Sequence, residues 1–205
     1  MMKSIIKKSG LFLTLLFLAS FQSYAAGLLV EAESFSNRGG WCIDQQFMDL
    51  MGSPYLLAHG MGVKVEDATT EVEFPAAGDY DVYVRTYNWT GPWYDGKGPG
   101  KFQLKVGETT LEAVLGETGD RWMWQYAGKV KIDNKKQMLT LQDLTGFEGR
   151  CDAIWFTTKK NDVPPADGKQ LEKFRAKALK LGKPQTLNYD FVVVGGGVAG
   201  MCAAM

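Results

Sequence analysis

Alternation of apolar and polar positions dominates the chain between residues 27 and 159. In Tyr80-Asp81-Val82-Tyr83-Val84-Arg85-Thr86, the residues Tyr80, Val82 and Val84 fall on one face and Asp81, Tyr83 and Arg85 on the other. That is the period of a strand with one face on a core. Shorter runs of strand-like sequence lie at 28–33, 63–65, 71–74, 102–106, 110–115, 129–132, 138–141 and 153–156. Turn-forming residues separate them, as in Ala77-Gly78-Asp79, Val106-Gly107-Glu108 and Asp133-Asn134. About nine short strands with frequent turns predict a mainly β protein, a β-sandwich or jelly roll. Residues 89–100, rich in Gly, Pro and aromatic rings, predict a long loop instead.

The pattern changes on both sides of this region. Pro164-Pro165 and the charged residues around them read as a connector. Asp167 with Gln170 has the spacing of a capping box, and Leu171, Phe174, Ala178 and Leu181 recur at helical spacing until Gly182 and Pro184. At the other end, Lys3, Lys7 and Lys8 precede an apolar run from Leu11 to Phe21, followed by Ser23-Tyr24-Ala25. This is the three-part pattern of a secretory signal peptide, and the apolar run is short for a stable membrane anchor. The expected organisation is a signal peptide at 1–26, a β-sandwich module at 27–160, a linker with an amphipathic helix at 161–188, and a further domain starting at 189–205. Export would place the protein in the periplasm or outside the cell.

Charge adds one exclusion. The 23 basic and 23 acidic residues become 20 against 23 once the signal is removed, without a long basic run, so nucleic acid is a poor partner. Cys42, Cys151 and Cys202 lack the paired spacing of a zinc site. Export permits a Cys42–Cys151 disulfide, and two separate inert thiols are the other reading. His59 is the only histidine and assembles no nucleophile triad. Asn88-Trp89-Thr90 matches a short glycosylation acceptor.

The last residues carry the most specific motif. Asp190-Phe191-Val192-Val193-Val194 reads as a strand buried on both faces, and it runs into Gly195-Gly196-Gly197-Val198-Ala199-Gly200 and an alanine-rich helix start. Gly195 permits a tight turn, Gly197 lets the backbone approach a pyrophosphate, and Gly200 allows close helix–strand packing. These sixteen residues resemble the N-terminal motif of FAD-dependent oxidoreductases. The resemblance implies the opening of a Rossmann-like FAD-binding domain, with FAD as cofactor and hydride transfer as chemistry. The ribose, flavin and substrate contacts of such a domain fall on residues this sequence does not supply. No catalytic residue is therefore assigned, and the chain alone is expected to be inactive.

The first folded residues bring in a second resemblance. Leu28-Leu29-Val30-Glu31-Ala32-Glu33, the run Gly78–Arg85 and Cys151-Asp152-Ala153-Ile154-Trp155-Phe156 resemble family 6 and family 35 carbohydrate-binding modules and related galactose-binding-like jelly rolls. The resemblance implies a structural Ca²⁺ held by Glu31, Glu33 and Asp152; the other reading leaves these acids in solvent or paired with Arg. Trp89, Trp93 and Tyr94 in the long loop, with Trp122, Trp124 and Tyr126 after Asp120-Arg121, offer ring faces on which a sugar could stack. Asn88, Asp95 and Arg121 could bond its hydroxyls. The competing reading buries these rings, and Trp155 is expected in the core. The leading expectation is an exported FAD-dependent oxidoreductase with this sandwich as an accessory module. The alternatives are a carbohydrate-binding accessory module of a polysaccharide-degrading protein, or a purely structural sandwich.

Overall fold

The computed structural model describes residues 27–205; the signal-peptide expectation falls on residues 1–26, outside the described residues. Ten strands appear in chain order: β1 (Gly27–Glu31), β2 (Cys42–Asp44), β3 (Tyr55–His59), β4 (Ala68–Glu73), β5 (Gly78–Thr86), β6 (Phe102–Val106), β7 (Thr109–Thr110), β8 (Met123–Ile132), β9 (Lys136–Asp143) and β10 (Phe147–Thr157). They form two antiparallel sheets, β2-β3-β10-β5-β8 with β1 also on β10, and β4-β9-β6-β7. One edge of β10 pairs first with β3 and then with β1, while its other edge pairs with β5. The inner faces meet in one core that includes Val82, Val84, Leu104, Leu141, Ile154 and Phe156. The fold is thus the mainly β sandwich that the alternation predicts.

Two bulges decide what lies on the outer face of the larger sheet. Between β5 and β8 the register shifts so that Ala127 is extra, and Gly128 there takes a φ of +134°, which favours glycine. Val130 and Ile132 therefore point into the core, but Trp124 points outward beside Tyr83. Between β10 and β5, Asp152 is the extra residue. Its side chain emerges on that same outer face, opposite Arg85.

A helix covers this face. The structure forms α1 (Met48–Met51), α2 (Gly168–Ala178) and α3 (Val198–Ala204). From α2, Leu171, Phe174 and Ala178 pack on Leu29, Tyr83, Trp124, Ala153 and Trp155. Phe174 meets the ring of Trp155 edge-on at 5.0 Å. Burying each such large apolar side chain contributes roughly 1.5–3 kcal/mol. The expected amphipathic helix is therefore present and docks on the sandwich. Trp155 is buried as expected, but under α2 rather than between the sheets.

Other expectations need correction. Residues 63–65 form no strand: Gly60 and Gly62 turn the chain there, and both donate to the carbonyl of Gly146. Of 110–115, only Thr110 lies in a strand, and Leu111 and Leu115 reach the core from irregular backbone. Asp167 precedes α2 without a side-chain cap bond, and Leu181 lies past the helix end, exposed. Residues 190–194 form no strand, with Val194 94% exposed. A parallel strand hides both faces only between neighbouring strands, and none flanks this segment. The three cysteines are free; burial pushes the Cys151 thiol well above its ordinary value.

Candidate functional site

A buried charge network joins the sandwich to α2. The Oδ2 of Asp152, fully buried, accepts from Arg85 Nη1 at 2.8 Å and from Arg175 Nη2 at 2.6 Å. Ser53 Oγ donates to Asp152 Oδ1 at 3.2 Å and accepts from Arg175 Nη1 at 2.6 Å. Arg175 Nη1 also donates to the Met51 carbonyl at 2.7 Å, and Arg85 donates to the Ala166 carbonyl through Nε and Nη2. Arg175 Nη2 lies 3.1 Å from Glu31 Oε2. That contact is an ion pair without hydrogen-bond alignment, since Glu31 Oε2 and Glu33 Oε2 are both buried without a hydrogen-bond partner.

Glu31 and Asp152 thus meet on the Arg175 guanidinium, with Glu33 nearby on the wall of the same pocket. The arrangement as it stands does not fit a Ca²⁺ ion, which takes six to eight oxygens. Arg175 already engages Asp152, Glu31, Ser53 and the Met51 carbonyl. Among the described residues no three His, Cys, Asp or Glu side chains are grouped as a metal site.

The network has a pH consequence. Burial, reinforced by Asp152, pushes Glu31 and Glu33 from the ordinary 4.5 up to about 7, against the pull of Arg175. Between these values the folded chain keeps protons that the unfolded chain has released. The stability these groups contribute is complete below about pH 4.5 and is lost as pH rises through 7. Glu33, which has no ion-pair partner among the described contacts, gives the cleaner test. Glu33→Gln should stabilise the fold by ~1 kcal/mol at pH 8, an effect reduced by the solvent that reaches the side chain, and not at pH 4.5. Thermal melts at the two pH values check this; equal shifts at both would contradict it.

Beside the network lies an aromatic cleft. Phe47, Tyr55 and Tyr87 surround Trp122, with Tyr55 at 4.9 Å and Tyr87 at 5.6 Å between ring centroids, and Arg85 stands 5.5 Å over the same indole. The opening, about 520 Å³, is lined by Phe47, Leu50, Tyr87 and Trp122, with Asp49, Asp120, Arg121 and Asp167 supplying charge. Trp122 Nε1 is buried without a partner. The cleft therefore combines apolar ring surface with a few polar groups, the make-up of a small-ligand site.

The predicted ligand aromatics separate. Trp93 and Tyr94 are exposed, at 79% and 54%, on the 89–100 loop. That loop leans on the cleft rim, where Asn88 Nδ2 donates to the Gly119 carbonyl and a Cβ on Gly91 would meet the same oxygen at 2.2 Å. Trp122 lines the cleft. Trp89 is half-buried, its indole near Arg150 and bonded to the Phe147 carbonyl. Trp124 is covered by α2 and donates to the Pro165 carbonyl at 3.0 Å, and Tyr126 bonds Asp81. Asn88 is buried, which removes it from reach as a glycosylation acceptor. His59 pairs with Glu148 at 3.1 Å, away from any nucleophile pairing.

Sequence reasoning missed Phe47, Tyr87, Arg85 and Arg175 as site residues. Arg175 carried a signal: it stands four residues after Leu171, on the apolar stripe of the helix. Of the glycine motif, Gly195 has a φ of +115° and Gly197 precedes α3. A Cβ on Gly200 would meet the Gly195 carbonyl at 2.1 Å.

No protein-family model matches the chain, and no curated protein sequence does. Among solved structures, a GH26-CBM35 β-(1,4)-mannanase from Podospora anserina is similar over 68% of this chain, at 18% identity and a TM-score of 0.50. The chain spans 29% of that enzyme. A family 35 carbohydrate-binding module from Clostridium thermocellum is similar over 63% of this chain and 96% of its own, at 16% identity and a TM-score of 0.48. The CBM36-1 domain of a xylanase from the hindgut metagenome of Trinervitermes trinervoides matches 63% of this chain and 95% of its own, at 16% identity and a TM-score of 0.48. The class defined is a two-sheet β-sandwich. At these identities the likeness is one of fold.

Proposed function

We propose that this chain carries a glycan-binding module of an exported protein that works on polysaccharide. The observation that carries this reading is the cleft of Phe47, Tyr87 and Trp122, rimmed by Asp49, Asp120 and Arg121, with the exposed rings of Trp93 and Tyr94 on the adjoining loop. Pyranose rings present apolar C–H faces and equatorial hydroxyls, which such rings and charged groups complement. The fold shared with a mannanase bearing a family 35 module supports it, as do the N-terminal lysines and apolar run typical of exported chains. Calorimetric titration with soluble β-mannan, xylan and α-glucan oligosaccharides tests the reading. At least one should bind. Trp93→Ala should weaken it ~10-fold through lost stacking while leaving the melting temperature unchanged. Absence of binding across the panel, or full affinity in both Trp93→Ala and Arg121→Ala, would remove the proposal.

A second reading attaches this module to a flavin-dependent oxidoreductase. It is favoured by the left-handed Gly195 and by the tight approach of Gly200 to the Gly195 carbonyl, which only glycine permits. In that protein the backbone after Gly195 would face the FAD pyrophosphate, and the flavin would supply the hydride chemistry. Purification of the protein from its native source decides it: oxidised-flavin absorbance co-eluting with this chain supports the reading, and its absence removes it.

A further inference from the structure

We propose that Arg175 is a tethered cation: its guanidinium fills an anionic socket of the sandwich and makes α2 an integral part of the module. The socket gathers oxygens from three separate segments. Glu31 comes from β1, Met51 from the last position of α1, Ser53 from the turn between α1 and β3, and Asp152 from the bulge in β10. Glu33 lies beside them in the short turn after β1. Arg175 binds Asp152, the Met51 carbonyl and Ser53 at 2.6–2.7 Å and stands 3.1 Å from Glu31.

Three features distinguish this from an ordinary ion pair. The Arg175 side chain is only 9% exposed and the carboxylate of Asp152 is fully enclosed, so neither is hydrated in the usual way. The donors of Arg175 reach acid, hydroxyl and backbone carbonyl together, the mixed hard-oxygen set that a divalent ion would otherwise gather. Finally, the cation arrives on an element that also buries Leu171, so charge and apolar contact hold the same helix. From the socket α2 leads back to Asp167 and Gly168, which form one wall of the aromatic cleft.

The test compares melting temperatures of the whole chain and its variants at pH 8, in EDTA and in millimolar CaCl2, with ionic strength matched by KCl. The native chain should melt at the same temperature in both. Arg175→Ala should melt roughly 10 °C lower in EDTA. Ca²⁺ should restore part of that loss, and a calorimetric Ca²⁺ isotherm should appear in the variant alone. Should Arg175→Ala fail to fold in EDTA, its recovery by Ca²⁺ is read from the folding yield, and Arg175→Lys, which keeps a compact charge, should fold and ignore Ca²⁺. The proposal is overturned by a native chain stabilised by Ca²⁺, by an Arg175→Ala variant as stable as native in EDTA, or by one that Ca²⁺ does not help.

Discussion

Asp152→Ala is expected to destabilise the fold by about 4 kcal/mol, because it strands two buried guanidinium groups at once. Arg85 is 1% exposed and would keep only the Ala166 carbonyl as a hydrogen-bond partner, beside the Trp122 ring, while Arg175 would keep Met51, Ser53 and the misaligned Glu31. Removing one partner of a buried pair costs far more than the pair itself contributes, since the remaining charge is neither hydrated nor neutralised. Asp152→Asn keeps the volume and an acceptor oxygen and should lose less. Urea unfolding followed by tryptophan fluorescence measures both, with Trp124 and Trp155 as reporters on the same sheet face. Asp120→Ala serves as the contrast: its pair with Arg121 is exposed, and its loss should move the midpoint little. Equal effects of Asp120→Ala and Asp152→Ala would show that burial is not what gives the network its weight.

The sandwich was legible where one face of a strand meets the core and the other does not. The facing of β5 reads correctly, with Tyr80, Val82 and Val84 inward, although the strand starts at Gly78, inside the stretch read as a turn. β3 was not legible because Tyr55, Leu56, Leu57 and Ala58 are all buried, on both faces, which erases alternation. The outer-face cover was half legible. The spacing of Leu171, Phe174 and Ala178 announces a helix that must hide a stripe, but nothing local states which surface it hides. The resemblance named Asp152 as a candidate Ca²⁺ ligand, whereas its partners in the fold are Arg85 and Arg175, 67 residues before it and 23 after it. Such pairings are set by topology and by a one-residue bulge, neither of which a local pattern records. The cleft shows the same limit, since Phe47, Tyr87 and Trp122 come from three unrelated segments.

The dependence of the sandwich on α2 leads to the largest expected effect. A chain ending at Lys160 retains every strand yet should fail to fold stably, whereas one ending at Leu181 should melt like the whole chain. The shorter chain uncovers Leu29, Tyr83, Trp124 and Trp155 by losing Leu171 and Phe174. Trp155 Nε1 loses the Asp162 carbonyl, Trp124 Nε1 loses that of Pro165, and Arg85 loses that of Ala166. Asp152 keeps one guanidinium of two. Re-exposing even two large apolar side chains costs about 3–6 kcal/mol, before any charge is counted. That already matches the ~5 kcal/mol of a marginal domain. Residues 182–205 contribute no comparable packing, because almost all of them are exposed. Circular dichroism melts and a dye that binds exposed apolar surface report the difference. If the chain ending at Lys160 melts cooperatively at the temperature of the whole chain, α2 is a passive linker, and the part assigned to Arg175 falls with it.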